Sequence, residues 1–247
     1  GVWNPKPKLG VQREPAPRLH NAMWVQSPGS EIFYDRSRWS DLREYVQEVI
    51  TRFKNDPRVL AWDLFNEPDQ VDVVTLTLGS RDDKIKTATE LVSQVFDWAQ
   101  EISPSQPLTV GIWEYNTQWQ PVENTLNELI LNRSDIISFH CYEPREKLTA
   151  VIESLKTFGR PLLCTEWLAR TAGSTVDLLE VFAEYGVGAI NWGFVDGRTQ
   201  TRFPWRSWTE PVTDEEPWFH ELLHRDGSPY DSKEVEIFRR LTSLHTQ

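Results

Sequence analysis

The stretch Val59-Leu60-Ala61-Trp62-Asp63-Leu64-Phe65-Asn66-Glu67-Pro68 decides how this chain is read. An apolar run from Val59 to Phe65 lies between two turn-forming groups, Asp56-Pro57 and Asn66-Glu67-Pro68. The run is too short for a helix and reads as a buried strand that carries a carboxyl at its C-terminal end. Upstream, Trp39, Leu42, Tyr45, Val46, Val49, Ile50 and Phe53 recur at helical spacing, and Asp56-Pro57 stops that helix. Downstream, a long helix is predicted between about Arg81 and Ile102, with Leu91, Val92, Val95, Trp98 and Ala99 on one face.

The same alternation continues to the C-terminus. Strands are predicted at Leu108 to Trp113, Asp135 to Cys141, Leu162 to Trp167 and Gly188 to Phe194. Between them fall a weak helix near Val122 to Leu131, a helix from Lys147 to Phe158, and a helix from Val176 to Tyr185 ended by Gly186. Ser174 with Asp177 has the spacing of a capping box for the last of these. The tail is predicted to hold two helical pieces, Trp218 to Leu223 and Lys233 to Leu241, with a turn at Asp226-Gly227. Strands that alternate with helices argue for a parallel sheet. Periodicity alone leaves open a closed barrel of eight strands or a doubly wound sheet of five or six. Residues 1–38 fit no element, are rich in Pro and basic residues, and read as a long loop or arm of a single domain spanning 1–247.

Composition narrows the function. Of 247 residues, 39% are hydrophobic, enough for one sizeable core. The net charge of −11 argues against a nucleic-acid partner, which needs a basic surface. No apolar run is long enough for a membrane-spanning helix, and no signal-peptide pattern opens the sequence, so the compartment stays unassigned. The 12 Trp are enough to build a core and still line a sugar cleft, because pyranose rings present apolar faces to flat aromatic rings. Cys141 and Cys164 are too few for a disulfide framework or a zinc site, and strand parity puts their thiols on opposite faces of the sheet.

Two carboxyls carry the chemistry. Glu67 ends one strand, and Glu166, in Thr165-Glu166-Trp167, ends another three units later. Parallel strands of a barrel present their C-terminal ends on one face, so the two can converge across one cleft. Each Glu alone could simply cap a helix or pair with an Arg. Together they fit glycoside hydrolysis, in which one carboxyl protonates the leaving oxygen and the other attacks the anomeric carbon.

Trp62-Asp63-Leu64-Phe65-Asn66-Glu67-Pro68 resembles the fourth-strand motif of the retaining (β/α)8 glycosidases of clan A, most of all family 5 and its cellulase-like relatives. Cys164-Thr165-Glu166-Trp167 is similar to the seventh-strand motif, Phe139-His140-Cys141-Tyr142 to the sixth, and Asn191-Trp192-Gly193 to the eighth. The resemblance implies a TIM-barrel-type α/β fold and a retaining hydrolase of β-glycosidic bonds. Glu67 would then be the acid/base and Glu166 the nucleophile. Asn66 would bind the hydroxyl at sugar C2, Tyr142 would orient the nucleophile, His140 would line the subsite, and Trp192 would lie under the sugar. Trp113, His20 and Asn21 are further candidate substrate-binding residues. Glu114, Trp24 and the run Arg198, Thr199, Gln200 and Thr201 are weighed beside them as cleft residues.

The barrel so implied is incomplete, with strands four to eight present and the first three lacking. The Arg that the family brings to the nucleophile from an early strand has no match here. The expected partner is an oligo- or polysaccharide or a small β-glycoside, with no metal or cofactor. A second copy of the chain, or a complementing N-terminal fragment, would close the barrel. The alternatives are a non-catalytic carbohydrate-binding remnant of such a barrel and an unrelated doubly wound α/β protein. The last leaves the two strand-end carboxyls unexplained and lacks a Gly-rich phosphate loop.

Overall fold

The computed structural model describes residues 8–70 and 80–243. Its elements follow in the order α1 (Ser30–Tyr34), α2 (Trp39–Phe53), β1 (Trp62–Asp63), α3 (Arg81–Ile102), β2 (Leu108–Thr109), α4 (Thr125–Arg133), β3 (Ile137–His140), α5 (Arg145–Lys156), β4 (Leu162–Glu166), α6 (Leu179–Tyr185), β5 (Gly188–Ala189) and α7 (Ser232–Ser243). All strand pairings are parallel and run in chain order. β1 pairs with β2, a bridge between Ile112 and Phe139 joins the β2 segment to β3, and β3 pairs with β4 and β4 with β5. Among the described residues the result is a singly wound arc of five strands with helices on its outer side.

The predicted helices, apart from Trp218 to Leu223, match in place, and several carry matching end chemistry. Ser80 caps α3, its side chain accepting from the Asp83 N–H while Asp83 returns the bond to the Ser80 backbone. Asn124 caps α4 one way, its side chain accepting from the Asn127 N–H. Gly186 ends α6 at φ 65°, a left-handed conformation that costs glycine little. The Ser174–Asp177 capping box does not form. Ser174 is buried and its hydroxyl accepts from the Leu168 N–H instead, while a short 3-10 turn at Val176–Leu178 leads into α6.

The core lies between the outer face of the arc and the helices. Val110, Ile112, Ile137, Phe139, Leu162 and Cys164 meet Leu91, Val92, Val95, Leu148, Val151, Ile152 and Phe182 there, all buried. The inner face is more open: Asp63 is solvent-exposed and its carboxylate accepts from the backbone N–H groups of Phe65 and Gly111. Ile190, Phe194 and Val195 are exposed as well. Among the described residues no helix is long and apolar enough to cross a membrane.

Two further expectations fail. Trp218 to Leu223 is not helical. Leu222 and Leu223 donate their N–H groups to the Phe194 carbonyl, and Leu223 bridges Val195 in parallel, so the segment runs as an extended neighbour of the chain leaving β5. The cysteines also differ from the parity argument. Phe139 is in register with Cys164 but His140 with Glu166, so Thr165 is one residue too many in β4. That bulge reverses the alternation and puts Cys164 on the Phe139 side of the sheet, the side Cys141 shares. Both thiols are free and buried, and burial pushes Cys141 up to about 12.

Residues 8–29 have no regular helix, whereas Ser30–Tyr34 and Arg36–Arg38 form short helical turns within the stretch predicted to lack elements. The irregular part is pinned to the chain beyond β5. Ala22 donates to the Thr199 carbonyl, Gln200 holds the Ala16 carbonyl at 2.7 Å, and Arg18 pairs with Asp214 at 2.7 Å.

Candidate active site

The C-terminal ends of β1, β3 and β4 bring Glu67, His140 and Glu166 together. One donor atom of each lies within 4.8 Å of the others. Glu67 sits just past β1 at φ 43°, a left-handed conformation that few non-glycine residues adopt and that often marks a functional position. Glu166 occupies the last position of β4, directly across from His140, because of the Thr165 bulge.

Hydrogen bonds hold this cluster. The His140 Nδ1 lies 2.7 Å from Glu67 Oε1 and 3.6 Å from Glu166 Oε2. The Tyr142 hydroxyl donates to Glu166 Oε2 at 2.7 Å. Burial opposes a charge on His140, but its hydrogen bond to Glu67 and the fields of Glu166, Glu67 and Asp63 outweigh it, so its pKa is raised above the ordinary value. Burial pushes Glu166 up to about 6; the Glu67 charge adds to this, while His140 and the Tyr142 hydroxyl act the other way. Burial raises the Tyr142 phenol well above its usual range, so it serves as a proton-bearing donor at neutral pH.

A cleft of about 270 Å³ opens over the two carboxyls. Its lining includes Asn66, Glu67, Tyr142, Glu166 and Trp192, and also Trp113, His20 and Asn21. His140 is an exception among the predicted residues: it is 2% exposed and lies beneath the carboxyls rather than in the lining. Trp113 is fixed by its indole N–H, which donates to Asp69 Oδ1 at 2.8 Å. Trp24 also lines the cleft, its ring 5.5 Å from that of Trp192.

The remaining candidates lie elsewhere. Glu114 is taken up by an ion pair with Arg81. Arg198 pairs with Glu14, Gln200 holds Ala16, and Thr201 is buried and donates to Glu221 Oε1 at 2.5 Å. These side chains anchor neighbouring loops and are not in the cleft lining. The sequence reading missed Gln70, Trp205, Trp208 and His220, which do line it. The density of Trp was the available signal for two of them. His220 carried none, since its segment was expected to be helical.

His20 is buried beside Trp208 and His220, and its Nδ1 lies 2.6 Å from the Phe203 carbonyl. A carbonyl can only accept, so Nδ1 carries the proton and Nε2 a lone pair. Burial lowers its pKa to about 4, which keeps the ring neutral.

The family model described as Cellulase (glycosyl hydrolase family 5) matches residues 18–197. No curated protein sequence matches the chain. Among solved structures it is similar to GH5_18 from Streptomyces cattleya in complex with Manb1-4GlcNAc, with a TM-score of 0.58 and 14% identity over 87% of this chain and 56% of that one. It is also similar to a GH2 beta-galacturonidase from Eisenbergiella tayi bound to galacturonate, with a TM-score of 0.56 and 15% identity over 87% of this chain. A third is a beta-D-glucuronidase from Dictyoglomus thermophilum, with a TM-score of 0.55 and 16% identity over 85% of this chain. The chain spans 38% and 36% of the lengths of the latter two. At such identities the likeness shows the fold alone, which is of the TIM-barrel type.

Proposed function

The chain belongs to glycosyl hydrolase family 5, the cellulase family, and on that premise we propose that it is a retaining hydrolase of β-glycosidic bonds. The observation that carries the proposal is the approach of the Glu67 and Glu166 carboxyls to within 4.8 Å at the ends of two parallel strands. Retaining glycosidases hold their carboxyls about 5–5.5 Å apart, whereas inversion needs about 6.5–9.5 Å to seat a water between them.

Glu67 protonates the glycosidic oxygen as the bond breaks, and Glu166 attacks the anomeric carbon to form the glycosyl-enzyme. Glu67 then removes a proton from the incoming water, which displaces Glu166 and restores the anomeric configuration. The Tyr142 hydroxyl fixes the attacking oxygen of Glu166 and favours its charged form. Asn66 meets the hydroxyl at sugar C2, and Trp192 with Trp24 and Trp113 forms the apolar walls. The substrate is a β-linked glucan, mannan or xylan, or a small β-glycoside.

The five strands are read as the fourth to eighth of the barrel, which makes Glu67 the acid of strand four and Glu166 the nucleophile of strand seven. Exposed Leu60, Ile190, Phe194 and Val195 leave apolar surface that self-association would bury. A purely monomeric sedimentation profile at micromolar concentration would overturn that part.

A second reading, a carbohydrate-binding protein without turnover, draws on the absence of any Arg from the described cleft lining. Hydrolysis of a panel of aryl β-glycosides, followed by Glu166→Ala with azide, separates the two. Activity that Glu166→Ala abolishes and azide restores, with an azide adduct of inverted configuration, supports the glycosidase. A folded sample that binds sugar and hydrolyses nothing supports the second reading.

A further inference from the structure

The extended segment beyond the chain leaving β5 brings into the cleft a side chain that the double displacement does not use. His220 is 0% exposed yet lines the cleft, with its ring 5.5 Å from that of Tyr142 and 5.1 Å from that of His20. It reaches this position because Gly193 has no side chain. A Cβ on Gly193 would stand 2.8 Å from His220 Cβ and 3.0 Å from its carbonyl carbon, and Gly193 itself has φ 81°.

The tautomer of His220 follows from its partner. Its Nδ1 is hydrogen-bonded to the Leu168 carbonyl, which can only accept, so the proton sits on Nδ1. Burial and the neighbouring His20 hold its pKa well below the ordinary value, so the ring is neutral at neutral pH. Nε2 therefore presents a bare lone pair, and this buried atom has no hydrogen-bond partner among the described residues. Buried acceptors are rarely left unmatched, and each exception asks for an explanation. Asn21 Oδ1, also buried and without a partner among the described residues, belongs to the same lining, whereas His140 Nε2 and Glu221 Oε2 belong to residues outside it. His220 belongs to the lining itself.

We propose that His220 is a substrate-binding residue whose Nε2 accepts a hydrogen bond from a hydroxyl of the sugar seated over Glu67 and Glu166. The inference rests on the glycosidase reading for the identity of the ligand. A bare imidazole lone pair takes a hydroxyl and repels a carboxylate. The sugar at this position is therefore an uncharged pyranoside presenting a hydroxyl there, not a uronic acid presenting its carboxylate.

The test compares the intact protein with His220→Phe and His220→Gln on the best aryl β-glycoside of the panel, its monodeoxy derivatives and the corresponding uronide. Circular dichroism confirms that each variant is folded. In the parent protein, loss of one particular hydroxyl lowers kcat/KM on the order of 10–100-fold. His220→Phe lowers kcat/KM on the full glycoside by a similar factor and causes no further loss on that one deoxy derivative. His220→Gln, whose amide oxygen can accept, recovers part of the loss. The uronide is the poorest substrate of the parent protein.

Equal losses for His220→Phe on the glycoside and on every deoxy derivative, or efficient hydrolysis of the uronide, would overturn the proposal. If the parent protein is folded and hydrolyses nothing, the glycosidase reading fails separately. Calorimetric titration with the same glycoside and deoxy series then decides the role of His220 by the same non-additivity in Kd. Absence of that non-additivity overturns it.

Discussion

Replacing Tyr142 by Phe removes one oxygen and should move the pH profile in a fixed direction. The Tyr142 hydroxyl donates to Glu166 Oε2 at 2.7 Å, and this bond favours the charged carboxylate. Burial has already pushed Glu166 up to about 6 against that bond. Glu166 attacks only when ionised, so activity in the free enzyme rises with pH through its pKa. A hydrogen bond to a charged group is worth about 1.5–3 kcal/mol and one pKa unit about 1.36 kcal/mol, which sets the shift at roughly one to two units. The acid limb of kcat/KM should move from about 6 to roughly 7–8. The assay is kcat/KM for an aryl β-glycoside between pH 4 and 9, with stability checked at each pH. A uniform drop in rate with the acid limb in place would refute the reasoning. It would mean that Tyr142 orients the nucleophile without tuning its charge, or that Glu166 is not the group that titrates.

Three further outcomes follow from the same geometry. Glu67→Ala removes the proton donor, so kcat/KM for glycosides with poor leaving groups should fall about 10²–10⁴-fold while a dinitrophenyl glycoside loses much less; equal losses on both would remove Glu67 from the role of acid. Gly193→Ala forces a Cβ against the His220 backbone at a left-handed φ, so a thermal melt should report a loss of roughly 1–3 kcal/mol, and an unchanged Tm would contradict the close approach. Arg170 pairs with Glu234 at 2.5 Å and donates to the Trp218 and Glu221 carbonyls, so Arg170→Met should lower stability by about 2–3 kcal/mol in urea titration by leaving the partly buried Glu234 carboxylate of α7 and the two carbonyls without that partner.

What could be read from the sequence was local. The bounds of α3 follow from its apolar face and from the box of Ser80 and Asp83, both written within a few residues of each other. Glu67 and Glu166 could be placed at strand ends because short apolar runs stop immediately before them. What escaped depends on partners distant along the chain. Trp218 to Leu223 has the composition of a helix, but Leu222 and Leu223 spend their N–H groups on the Phe194 carbonyl. Ser174 has the spacing of a cap, yet the Leu168 N–H takes its hydroxyl. Thr201 follows β5 like a cleft residue, and Glu221 draws it away. In each case a tertiary hydrogen bond outweighed a local preference that was itself worth little.

The bulge at Thr165 shows how one such tertiary feature decides the chemistry. In an unbroken strand Cys164 and Glu166 would face the same way, two residues apart. Leu163, paired with Ser138, faces the inner side, where a Cβ on Gly188 would strike Leu163 Cδ1 at 2.7 Å. Regular alternation would therefore turn Cys164 outward into the core, Thr165 inward, and Glu166 outward among the helices. A carboxylate there would lie among Phe139, Leu148 and Ile152, with no tyrosine hydroxyl to receive it and a heavy desolvation cost. With the extra residue, the apolar thiol keeps its place in the core and the carboxyl crosses to the side of His140 and Tyr142. The bulge leaves the Thr165 hydroxyl buried without a partner among the described residues, a local cost at the point where the strand turns from packing to chemistry.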